Sequence, residues 1–260
     1  METASHVVSD LGRALAEIVE EAAELILPYW RSTVTVERKP DASPVTEADR
    51  RAEDLILKRL AAAFPKVTVI AEEAFAVSGG PAKAPKRFFL VDPLDGTKGF
   101  LRGAETFTVN IGLIENGAPV AGAVAAPATG QVWFTSKDGA FRRRAGGAEL
   151  TSIRVRRKPD SGGVALVSHS LTDVEAARMA ARHGCSSWQG MDSSVKFCLI
   201  AEGRADVYPR PGRTMEWDTA AADAVLRLAG GRVLTEDGAP LTYGKAADGF
   251  ANPGFLAVGA

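Results

Sequence analysis

The sequence predicts a mixed chain, an α+β half followed by an α/β half. Three observations predict it. Two stretches near the start carry apolar residues at helical spacing. Residues 67–134 break into short apolar or alternating runs punctuated by turn signals, the pattern of an antiparallel meander. After residue 150, strand-like and helix-like runs alternate, which is the pattern of an α/β layer. The expected division is therefore residues 1–150 and residues 151–260.

Residues 7–30 place Val8, Leu11, Leu15, Ile18, Val19, Ala22, Leu25 and Ile26 on one face, and Pro28 closes the helix. Val34 and Val36 suggest a short strand, and 39–44 a loop. Thr46 is a plausible N-cap for a helix over 46–63. Strands are expected at 67–70 and 88–91, with a Gly-, Pro- and Lys-rich mobile loop at 76–86 between them. Thr106–Ile114 ends at Asn116-Gly117, a hairpin signal, and 120–126 and 131–134 extend the meander. The basic run Arg142–Arg144 reads as a solvated loop. Beyond it come a strand at 164–167, a helix at 173–183, a short helix at 194–202, a strand at 205–208 and an Ala-rich helix at 219–228 ending at Gly230-Gly231. No repeat or low-complexity segment interrupts the series.

Composition narrows the function. A chain of 260 residues with 46% apolar and 24% charged side chains can bury a core without staples. Its formal net charge of −1 offers no field for nucleic acid or an anionic membrane, so an anionic substrate needs local cations or metal ions. Cys185 and Cys198 lie in no C-x-x-C pair, which argues against zinc and for two reduced thiols in a cytoplasmic protein. Glu2 comes early and no basic-then-apolar leader follows, so a signal peptide is not expected. No run reaches the ~20 apolar residues of a membrane span. Attachment at the periphery of the inner membrane stays open, and a monomer is the expected state.

Five acidic positions carry the chemistry: Asp49, Glu72, Asp92, Asp95 and Asp218. Glu72 follows the 67–71 run, Asp92 ends an apolar strand, Asp95 lies three residues later and Asp218 opens a helix. Carboxylates emerging from apolar elements repel one another unless a cation stands between them, and a hard divalent ion such as magnesium suits oxygen ligands. In Asp92-Pro93-Leu94-Asp95-Gly96-Thr97, Pro93 is expected to end the strand. The turn can then aim Asp92, the Leu94 carbonyl and Asp95 at one region. Gly96 permits close backbone approach, Thr97 supplies a hydroxyl, and a helical turn starting there would offer free N–H groups to an anion. The same composition also describes an ordinary turn.

Pro44–Asp49, Ala71-Glu72-Glu73, Asp92–Thr97 and Trp217–Ala221 resemble, in order and spacing, the signature segments of the inositol monophosphatase superfamily. Within it the chain looks most like the bacterial 3'(2'),5'-bisphosphate nucleotidases, through Asp95–Gly103, Phe107–Ile111, Asp192–Phe197, Val207–Arg210 and Asn252–Phe255. The resemblance implies a layered α/β/α/β/α sandwich. It implies Mg2+-dependent removal of the 3'-phosphate of 3'-phosphoadenosine 5'-phosphate, a by-product of sulfate assimilation, with sensitivity to lithium. It places Glu72, Asp92 and the Leu94 carbonyl on a first magnesium and Asp92, Asp95 and Asp218 on a second. A third would touch Asp49 and Glu72, largely through water. Asp49 and Thr97, with Glu72, would prepare the attacking water. The N–H groups of Gly96 and Thr97 would bind the scissile phosphate, bordered by Glu72, Leu94, Asp95 and Asp218. His169, Ser193, Lys196 and Arg210 would face the nucleotide and its second phosphate. The chain departs from the family's pattern at Ala222, where glycine is usual, and at Asp192, where bacterial relatives commonly have glycine.

The expected reaction is in-line attack by metal-activated water. Phosphoaspartyl phosphatases carry Asp-x-Asp-Gly-Thr, whereas here both Pro93 and Leu94 separate the carboxylates, so that covalent chemistry does not match. Inositol monophosphate, histidinol phosphate and other sugar or polyol phosphates remain alternative substrates. A catalytically silent phosphate-ligand sensor is the alternative of another class. Lys196 could serve as a solvated lysine and His169 as a structural histidine.

Overall fold

The structure, a computed structural model, describes residues 3–39, 42–160 and 162–260. Glu2, the side chain of Val8 and the loop positions Pro40 and Asp41 lie outside the described residues.

Helix α1 (Thr3–Ile26) buries Leu11, Leu15, Ile18, Val19, Ala22 and Ile26 of the predicted stripe, while Leu25 is half-buried. It stops two residues before Pro28, which sits inside a 3-10 turn, Leu27–Tyr29. A small hairpin of β1 (Val36–Arg38) and β2 (Pro44–Thr46) leads into α2 (Glu47–Ala63). Val34 lies outside β1. Strand β3 (Thr68–Ala71) turns directly into α3 (Glu72–Ser78), so the expected loop at 76–86 begins only at Gly79. Then come β4 (Arg87–Asp95), α4 (Thr97–Leu101) and the meander β5 (Thr108–Glu115), β6 (Ala118–Ala126), β7 (Gln131–Ser136), β8 (Gly139–Arg144) and β9 (Thr151–Ile153). The seven-stranded sheet runs in order β3-β4-β5-β6-β7-β8-β9, antiparallel except for β3 and β4. Arg142–Arg144 therefore pair with β7 rather than forming a loop, and their side chains alternate across the sheet, Arg142 reaching Glu202 and Arg143 reaching Glu20 on α1.

The second half contributes β10 (Gly163–Ser168), α5 (Asp173–Arg182), β11 (Cys185–Met191), α6 (Val195–Ala201), β12 (Val207–Arg210), β13 (Thr214–Met215), α7 (Ala220–Leu228), β14 (Arg232–Thr235), β15 (Ala251–Asn252) and β16 (Phe255–Val258). A five-stranded sheet is ordered β11-β10-β12-β16-β14. Strand β11 escaped the sequence reading because it lies at the sheet edge with five exposed residues, Ser186–Gly190, between its buried ends.

The layers stack as α1 and α2, the seven-stranded sheet, α6 and α7, the five-stranded sheet, and α5. One core joins α1, α2 and one face of the large sheet through Leu15, Ile56, Phe89 and Phe134. A second joins its other face to α6, α7 and the smaller sheet through Phe88, Phe197, Leu226 and Phe250. Each such side chain contributes about 1.5–3 kcal/mol. Helix α7 lies directly on the sheet where Gly112 and Gly122 face each other in register. A Cβ on Gly122 would stand 2.4 Å from the Ala221 carbonyl oxygen, so only glycine allows this approach. That contact fixes the entry of α7 and, with it, the position of Asp218. Cys185 and Cys198 are free and buried, and among the described residues no helix is long and apolar enough to cross a membrane.

Candidate active site

The centre of the site is a bulge. Asp92 pairs with Asn110 and Asp95 with Thr108, so three steps along β4 match two along β5. Side chains three apart in a regular strand face opposite ways. The extra residue brings Asp92 and Asp95 to the same side. Pro93 therefore does not end the strand; it occupies the point where the ladder is already broken. The Leu94 N–H donates to Asp92 Oδ1 at 3.0 Å, which holds the bulge. Gly96 follows at φ +92°, a conformation suited to glycine, and starts the single turn of α4 at Thr97.

Asp49 enters from α2. The Thr46 N–H and Oγ1 donate to Asp49 Oδ2 at 2.8 and 2.6 Å, closing a capping box. Asp49 Oδ1 remains for Thr97 Oγ1 at 3.3 Å, while the Leu94 carbonyl lies 3.1 Å from the same hydroxyl. One hydroxyl proton serves one acceptor at a time. Glu72 is the first residue of α3. Asp218 precedes α7, and its Oδ2 accepts the Met215 N–H at 2.8 Å rather than capping the helix. Behind it Glu216, fully buried, accepts the N–H groups of Gly244 and Lys245 and the Lys245 ammonium at 2.8 Å.

These carboxylates share one electrostatic neighbourhood. Burial, followed by Glu72, Asp95 and Asp218, raises Asp92 well above the usual carboxylate range. Burial, then Asp95 and Glu72, does the same to Asp218. Asp95 is pushed by burial to about 6, against the pull of Lys196 and the Ser194 N–H. Burial also raises Asp49, against its bonds from Thr46. Among the described residues no three acidic, His or Cys side chains are drawn together as a closed metal site. The donor set is nevertheless all oxygen, and its mutual repulsion marks a deficit of positive charge. That combination suits a hard divalent cation. Lys39 supplies part of the missing charge: its ammonium is 2.6 Å from both Glu72 and Glu73. Burial lowers its pKa, but Glu72 and then Glu73 outweigh that and raise it overall.

The cleft beyond the carboxylates encloses about 800 Å3 and is lined by His169, Ser193, Lys196 and Arg210 among others. Lys196 is not a solvated lysine. It is 3% exposed, donates to the Ser193 carbonyl at 2.5 Å and the Met191 carbonyl at 3.2 Å, and lies 4.8 Å from the Tyr208 ring. Burial lowers it to about 8, opposed by Asp95. Ser193 adopts φ +60° in the turn that Lys196 ties down. Arg210 ends β12, and its Nε is buried without a partner. His169 is exposed where it lines the cleft, and its backbone N–H donates to the Met191 carbonyl. Asp192 reaches across the rim to Arg102 at 2.7 Å.

Sequence reading missed several supporting residues. The Ser194 N–H donates to Asp95 Oδ2 at 2.6 Å, and its hydroxyl lies 2.8 Å from Thr108 and 2.7 Å from Asn110. Thr108, Asn110 and Ser194 are all buried. Two polar residues at the buried end of an otherwise apolar strand were the available signal. Lys39 and Glu53 gave none.

The sequence profile of the inositol monophosphatase family matches residues 8–257. The chain belongs to the inositol monophosphatase family. It is 37% identical over 246 residues to 3'(2'),5'-bisphosphate nucleotidase CysQ of Salmonella typhimurium, covering 93% of this chain and 96% of that one. The corresponding CysQ of Escherichia coli strain K12 is 36% identical over 244 residues, with the same coverage. Among solved structures, CysQ from Bacteroides thetaiotaomicron superposes with a TM-score of 0.78 at 32% identity, covering 96% of this chain and 97% of that one. An inositol monophosphatase of Thermotoga maritima, at 24% identity, shares the fold with a TM-score of 0.75, covering 94% and 89%. The family member described here thus carries the family's fold along nearly its whole length.

Proposed function

We infer that this phosphatase removes the 3'-phosphate from a 3'(2'),5'-bisphosphate nucleotide such as 3'-phosphoadenosine 5'-phosphate. The observation that carries the substrate class is the likeness to bisphosphate nucleotidases along nearly the full length of both chains. The cleft supports it: Lys196 and Arg210 line it together with Glu72, Asp95 and Asp218. A substrate with two phosphates needs a cationic contact away from the reacting one, and a guanidinium with an unpaired buried Nε is suited to that task.

Glu72, Asp92, the Leu94 carbonyl, Asp95 and Asp218 would hold magnesium, two ions with a third near Asp49 and Glu72. When bound, magnesium supplies a water acidic enough to attack and charge to stabilise the leaving 3'-oxygen. The remaining steps fall to the chain. Asp49, with Oδ2 fixed by Thr46, presents Oδ1 to Thr97, so a proton leaving water can pass through the Thr97 hydroxyl to Asp49. The first-turn N–H groups of α4 have no acceptor within their own helix and face the scissile phosphate. Lys196 holds the Ser193-Ser194 turn and lends its charge to the cleft.

Arg210→Gln is the direct test. Loss of a charge-assisted contact raises KM for the bisphosphate about 10- to 100-fold and leaves a nucleoside monophosphate unaffected. Equal losses on both substrates would contradict the assignment.

A further inference from the structure

Helix α3 has only seven residues, and its N-cap Ala71 has no side chain that can bond the first-turn N–H groups. A helix this short does not hold its own position. The missing cap comes from α2. Glu53 Oε2 accepts the Glu73 N–H and Oε1 the Ala74 N–H, both at 2.8 Å. Glu53 is 5% exposed and adds a negative charge at the positive end of α3. It also stands one turn beyond Asp49, on the same buried face of α2 as Ala48, Ala52 and Ile56. One rigid helix therefore fixes Asp49 through its own capping box and fixes the start of α3, whose first residue is Glu72, through Glu53.

We propose that Glu53 is a positioning residue that sets Glu72 against Asp49 and so sets the affinity of the site for magnesium. The inference rests on the reading that Glu72 helps to hold the metal. Glu53 touches no substrate and acts through the α3 backbone. Its two oxygens match two donors, and an amide cannot replace it, because Gln offers one acceptor and turns an N–H2 group toward the second N–H.

The test compares magnesium affinity by titration calorimetry in the wild type, Glu53→Gln and a control, Asp206→Asn. Asp206 is also a buried carboxylate, bonded to Arg156 and the Val164 N–H, at the end of β12 away from Arg210. Melting of each metal-free protein reports folding. Glu53→Gln is expected to weaken magnesium binding by about 10- to 30-fold through the lost charge-assisted bond, with KM for the nucleotide unchanged at saturating metal. Asp206→Asn is expected to lower the melting temperature and leave magnesium affinity within about twofold. Unchanged affinity in Glu53→Gln, or an equal loss in Asp206→Asn, overturns the role of Glu53. Absence of magnesium binding by the wild type overturns the metal reading and this inference together.

Discussion

Between about pH 4 and pH 7 the metal-free protein is expected to lose stability as the pH rises, and Asp95 sets much of the loss. Burial raises Asp95 from 3.8 to about 6. The folded chain then keeps a proton that the unfolded chain releases across that window. Stability consequently falls as pH rises through it and levels off above the folded value. A shift of roughly two units corresponds to about 3 kcal/mol. Asp92 and Asp218 are raised in the same sense and steepen the fall. Asp223, buried in α7 and raised to about 6, adds a similar decline that no metal in the cleft can relieve. Asp95→Asn removes the Asp95 share and relieves part of the shifts of Asp92 and Asp218, which the Asp95 charge also raises. The assay is urea denaturation in the presence of a chelator at several pH values, for wild type and Asp95→Asn. At neutral pH the variant is expected to be more stable by about 2–3 kcal/mol, and at low pH the two converge. Added magnesium stabilises the wild type by mass action and reverses the order. A metal-free variant no more stable than wild type at neutral pH would refute the reasoning.

Two other outcomes follow from the geometry. Thr97→Val removes the hydroxyl that meets Asp49 and is expected to lower kcat by about 10²–10⁴-fold with magnesium affinity retained, measured by steady-state kinetics and calorimetry. Gly122→Ala places a methyl group against the Ala221 carbonyl, pushing α7 off the sheet. It should cost about 1–3 kcal/mol of stability in thermal melts and weaken magnesium binding through Asp218.

Much of this fold was legible in the sequence because strong periodicity coincided with burial. The stripe of α1, the Thr46 cap and the Asn116-Gly117 hairpin each rest on local chemistry. Strand β11 was not legible, since its exposed Ser186–Gly190 segment carries no alternation and is held by pairing with β10 and by the neighbouring α5. Arg142–Arg144 misled for a related reason: charge suggested a loop, while pairing with β7 made a strand. At the site, residue types revealed the carboxylates, but not the means of aligning them. The spacing of Asp92 and Asp95 is explained only by the β4 bulge, which appears once β5 lies beside it. Lys39, Glu53 and Ser194 act through contacts with residues at least 20 positions distant, and no local pattern encodes those.

The central claim is that the cleft is built for a nucleotide with two phosphates. The direct measurement is kcat/KM for 3'-phosphoadenosine 5'-phosphate and for inositol monophosphate on one magnesium-loaded preparation. The expected result is a preference for the nucleotide of about a hundredfold or more. Equal turnover, or a preference for inositol monophosphate, would contradict it.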